Sequence, residues 1–181
     1  VPMTHTTARG HTIEEPLIKD SFSRRATQFT NKILLAFRNA GIPPDSVDIP
    51  EERVPMRKAA AQVSWYAQGR NCHYSYAKRN NYAENLYVVM RVLELETQAV
   101  LEGTKAAEQF IGEFAEEPDV ADRRKEARET LGLDENCMDT AIIDTQYRKH
   151  AKNLHPDMPT GSEHAFKKLN NAHKILKREL M

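Results

Sequence analysis

DTAIIDTQYRKHAKNLHPD, residues 139–157, and MPTGSEHAFKKLNNAHKILKR, residues 158–178, are the stretch that decides the fold. Ile143, Tyr147, Ala151 and Leu154 are separated by four, four and three residues, so they share one helical face. Asp139 is placed to cap that helix, and Arg148, Lys149 and Lys152 fall on its outer side. Phe166, Leu169, Ala172, Ile175 and Leu176 give the next segment a facing apolar stripe. Pro156 disfavours helical geometry at His155, so the first helix ends there. The spacing predicts two antiparallel helices with His155, Pro156 and Asp157 exposed at the corner.

Such a corner has a chemical use. Proline fixes its own φ and stiffens the tip. Asp157 then becomes an anionic acceptor on a rigid mount, suited to charge-assisted hydrogen bonds with a partner's arginine. The flank of Arg148, Lys149 and Lys152 steers toward an acidic surface, which acts mainly on association rate and orientation.

Upstream, Glu129-Thr130-Leu131-Gly132-Leu133 reads as a helix end and turn. With Gln146 to Ala151, the His-Pro-Asp tripeptide and Phe166 to His173, it makes residues 125–178 resemble the J-domain of the DnaJ co-chaperone family. The resemblance implies docking on an ATP-driven DnaK-type chaperone and stimulation of that partner's ATP hydrolysis. It carries this role to His155, Pro156 and Asp157, with Arg148, Lys149 and Lys152 in support. It also implies that the segment hydrolyses nothing itself, so the chain is not expected to be an enzyme. Asp144 departs from the family, many of whose members are basic there; His150 and His173 replace the usual Leu and Tyr.

Hydrophobic residues make up 40% of the 181 and charged residues 29%, a composition suited to a folded, water-soluble chain. The formal net charge of zero conceals a division: +5 over 1–82, −8 over 83–135 and +3 over 136–181. Such segregation often marks separate surfaces. No apolar run reaches membrane-spanning length, and the first twenty residues lack the apolar stretch of a secretory leader. Cys72 and Cys137 make no disulfide framework, so a reducing cytoplasm is the expected compartment. No cofactor or metal is expected: His150, His155, His164 and His173 lack a ligand-set spacing, and Cys72-His73 stands alone.

Ahead of the J-like segment the reading is all-α. Residues 1–15 read as a flexible arm and 16–115 as a helical domain of unknown role, with 116–181 as the J-domain and its leading linker helix. Within the middle part, apolar spacing predicts helices over 17–40, near 55–68, from Tyr82 to Gly103 and from Thr104 to Phe114, with 69–81 as a loop. Trp65, Tyr66, Tyr74, Tyr76, Tyr82 and Tyr87 interleave with Arg70, Lys78, Arg79 and Arg91 inside the aromatic-basic stretch 65–91. Three uses are open for that stretch: core packing, a surface for a client protein, or stacking and phosphate contacts with nucleic acid in an RNA- or ribosome-associated protein.

Overall fold

The computed structural model describes residues 3–180 and divides into two compact units, Val1–Glu117 and Pro118–Met181. The second unit is helical, but the first is mixed α/β, which corrects the all-α expectation.

In the first unit, helix α1 (Phe22–Asn39) and helix α2 (Tyr82–Leu101) lie side by side, with the Phe29 ring edge-on to Tyr87 at 5.4 Å. Between them in sequence comes an antiparallel sheet of β3 (Val47–Asp48), β4 (Ala61–Ala67) and β5 (Arg70–Tyr76). Its register runs from Ala61 opposite Tyr76 to Ala67 opposite Arg70, and Val47 of β3 faces Trp65. A short helix α3 (Ala107–Phe114) follows α2.

The helix predicted near 55–68 is therefore strand β4, and most of the predicted loop 69–81 is strand β5. The physical reason is period. Val63 and Trp65 are buried while Ser64 and Tyr66 turn outward, an alternation of two that starts after the buried pair Ala61 and Gln62. In so short an apolar run that alternation is easily taken for a helical face. Gln68 and Gly69 both have positive φ, 51° and 74°, the two-residue turn whose twist suits a hairpin. Glycine takes the second of these positions without steric cost.

Within 1–15, the expected flexible arm, β1 (His5–Ala8) and β2 (His11–Glu14) pair as a second antiparallel hairpin. Val1 and Pro2 lie outside the described residues. Ala8 and Ile13 are buried in the unit's core. Polar bonds hold the rest: His11 Nε2 lies 2.8 Å from Glu96, Arg79 meets Glu15 at 3.2 Å, and Thr6 Oγ1 meets the Tyr76 hydroxyl at 3.1 Å. The Arg9 guanidinium sits 4.0 Å from the Phe114 ring centre and donates to the Glu113 carbonyl at 2.7 Å.

Trp65 is the centre of the first unit. Its ring is 4.9 Å from Phe37, 5.9 Å from Phe110 and 5.4 Å from Phe114. Truncating such a side chain costs about 3–5 kcal/mol. Burial pushes the Tyr74 and Tyr82 phenols well above their ordinary pKa.

The second unit holds α4 (Val120–Thr130), α5 (Thr140–Leu154) and α6 (Glu163–Leu180). α4 ends in a Schellman turn: Gly132 N–H donates to Glu129 O at 3.0 Å and Leu133 N–H to Arg128 O at 2.9 Å. That closure needs Gly132 at φ 66°. Leu131, Met138, Ile143, Leu169, Ala172, Leu176 and Leu180 form the core. Arg128 and Glu179, both about 4% exposed, meet inside it at 2.9 Å, and the Arg128 Nε donates to Cys137 O. Among the described residues no helix is long and apolar enough to cross a membrane.

Candidate functional site

The site is the corner between α5 and α6. Asp139 caps α5, its carboxylate accepting from Ala141 N–H at 2.9 Å and Ile142 N–H at 3.2 Å. One stripe of the helix then faces α6 through Ile143 and Tyr147, which leaves Arg148, Lys149 and Lys152 exposed on the opposite flank. The helix stops at His155, whose ψ of 136° is extended, as the following proline demands.

Beyond the stop the chain closes a compact loop. Met158 N–H donates to His155 O at 2.9 Å, Gly161 N–H to Met158 O at 2.8 Å, and Ser162 N–H to Leu154 O at 3.3 Å. The Thr160 hydroxyl donates to Asn153 O at 3.2 Å. Three of these four bonds return the loop to the end of α5, and the fourth closes the loop on itself.

Within the tip, the His155 ring rests edge-on against Phe166 at 5.4 Å. Its Nδ1 accepts from Asp157 N–H at 3.3 Å and lies 3.4 Å from Asp157 Oδ2. The Asp157 side chain is 89% exposed, so its carboxylate remains open to a partner. The six candidate residues thus run from the middle of α5 to the corner: exposed cations at Arg148, Lys149 and Lys152 along the helix, then an exposed anion at the tip. That arrangement can grip a guanidinium and lie against an acidic patch.

Residues 126–180 match the family model for the DnaJ domain. This segment is a DnaJ domain. Searches of the curated proteins and of the solved structures give no match to the chain. The N-terminal part has no family match either.

Elsewhere the placement differs from expectation. Trp65, Tyr74 and Tyr76, candidates for a client or nucleic-acid surface, are buried at 2%, 8% and 7% exposure. On strands whose alternate residues face a helical layer, aromatic rings at 65, 74 and 76 all point inward, which removes them from any contact surface. Of the cations in that group, Arg70 and Lys78 are exposed, while Arg79 is drawn into pairs with Glu15 and Glu84.

Two features of the DnaJ domain escaped the reading of the sequence. Gly161 packs against the His155 backbone so closely that any β-carbon would overlap the His155 carbonyl oxygen. Asp144 accepts from His173 Nε2 at 2.8 Å and lies 3.8 Å from Lys177 Nζ. The residues that signal this pair, an acid in a basic helix and a histidine at a seam position, are visible in sequence, but their partnership is not.

Proposed function

We propose that the chain is a co-chaperone that docks on a DnaK-type ATP-driven chaperone and raises its rate of ATP hydrolysis. One observation carries the reading: Asp157 is presented, almost fully exposed, on a proline-fixed corner flanked by Arg148, Lys149 and Lys152. On this reading the ATP is hydrolysed by the partner and the chain has no catalytic centre of its own. The mixed α/β unit chooses the client or the location to which the chaperone is brought, and the place of work is the cytoplasm. For the alternative, RNA or ribosome association through the stretch 65–91, the burial of Trp65, Tyr74 and Tyr76 leaves the exposed Tyr66 ring and the exposed Arg70 and Lys78 as its contacts, since stacking needs exposed rings.

The test is steady-state ATP turnover by a purified DnaK-type chaperone, with and without the full chain. Stimulation by wild type and its loss in His155→Gln support the assignment. Equal stimulation by the variant refutes it.

A further inference from the structure

The docking helix carries a charge of the opposite sign. Asp144 stands one turn before Arg148, where the cationic flank of α5 meets its seam with α6, and about 16 Å along the axis from His155. It is not a loose surface carboxylate. Its side chain is 32% exposed, and Oδ1 is held by His173 at 2.8 Å with Lys177 at 3.8 Å, both on α6. His173 is itself fixed, its ring stacked flat on Tyr147 at 4.0 Å with 6° between planes. Tyr147 in turn donates to Asn170 Oδ1 at 2.8 Å. Partial burial opposes the charge on Asp144, yet the His173 bond and the cations Lys177 and Arg148 hold its carboxyl below the usual range. The residue is therefore a negative charge of defined position at neutral pH.

We propose that Asp144 is a specificity-determining residue of the docking face. This rests on the co-chaperone reading. The surface presents cations at Arg148, Lys149 and Lys152 and then, one turn earlier, a fixed anion. A chaperone groove that is acidic along its whole length meets repulsion at Asp144. A groove that is acidic opposite the cations and basic or neutral opposite Asp144 does not. Discrimination between partners commonly comes from such a repulsive element as much as from attraction. His173 and Lys177 supply the fixed geometry that makes the charge selective, because a mobile carboxylate would swing away into water.

The experiment titrates the full chain into an ATPase assay of a DnaK-type chaperone with a uniformly acidic docking groove, at low and high salt. Asp144→Asn keeps an oxygen for His173 and removes only the charge. It is expected to lower the half-maximal concentration roughly two- to five-fold at low salt, with less effect at high salt. Maximal stimulation should stay unchanged, and the thermal unfolding midpoint should fall only slightly, because the lowered carboxyl contributes some stability at neutral pH. Asp144→Glu keeps the charge but shifts it by one methylene, so its half-maximal concentration should lie nearer to wild type than that of Asp144→Asn, whereas a merely structural role would make it the worse variant. Wild-type stimulation with an unchanged or raised half-maximal concentration for Asp144→Asn overturns the inference alone. No stimulation by wild type, with His155→Gln indistinguishable from it, overturns the co-chaperone reading and the inference together.

Discussion

A β-carbon on Gly161 would fall on the carbonyl oxygen of His155, so the space between these two residues admits no side chain. The contact joins the residue that begins the α5–α6 corner to the one that closes its loop. The carbonyl also accepts from Met158 N–H, so the backbone at His155 is fixed from two directions.

Gly161→Ala is therefore expected to displace the loop and loosen the tip. Overpacking of this kind costs about 1–3 kcal/mol. Chaperone stimulation should fall while helix content by circular dichroism stays close to wild type. Full stimulation by the variant would show that the close approach is not needed.

The Arg128–Glu179 pair ties α4 to α6 in the dry interior of the DnaJ domain. Arg128→Met takes from the buried Glu179 carboxylate its 2.9 Å ion-pair partner, while Arg124 remains at 4.0 Å. Removing one partner of a buried pair costs about 3–5 kcal/mol, whereas exchanging both for apolar groups is often neutral. Thermal unfolding followed by circular dichroism should show a large loss for Arg128→Met and recovery in the double variant Arg128→Met, Glu179→Leu.

In the first unit, Lys105 bridges Glu96 and Glu113, at 2.5 and 2.7 Å. Desolvation works against the ammonium, but hydrogen bonds to Glu113 and Glu96 outweigh it and raise its pKa above the ordinary 10.5. The bond from Lys105 is the main cause that lowers Glu113 below the ordinary 4.5. The raised group contributes stability fully below 10.5, and that contribution is lost as pH climbs through its folded value. The lowered group contributes above 4.5 and loses its contribution as pH falls through its folded value. The urea midpoints of wild type and Lys105→Met should therefore differ most between these limits and converge outside them. Fluorescence titrations from about pH 3 to about pH 11 check this.

Trp65 is the one tryptophan in the chain and is 2% exposed, so its fluorescence reports the first unit alone. Its emission should be blue-shifted and resist acrylamide until that unit unfolds. Its neighbour across the strand pair, Cys72, has its thiol pushed up to about 11 by burial. Alkylation of Cys72 near pH 8 should be slow in the native chain and fast in denaturant, read by mass spectrometry. Rapid native labelling at Cys72 would contradict the buried placement.

The α5–α6 hairpin was legible in the sequence because its information is local. Helical period, an Asp139 cap and a proline stop lie within forty residues, and each element's outer face follows from its inner one. The first unit was not legible in the same way. Ala61 to Ala67 is too short for its period to separate strand from helix, and the turns at Arg9-Gly10 and Gln68-Gly69 are less distinctive than Asn-Gly. Trp65 and Tyr76 looked alike as core or surface, since either placement satisfies an aromatic residue with a polar neighbour.

By itself the sequence determined the corner: which residues form it, where the helix before it ends, and which charges flank it. Those depend on bonds and steric limits between residues close along the chain. Only the tertiary structure decided that residues 5–14 form a hairpin held by Glu96 and Tyr76, that the aromatics of β4 and β5 turn inward, and that Asp144 is fixed by His173. Each of these rests on groups brought together from distant positions, and their burial or pairing is set by what the fold packs against them.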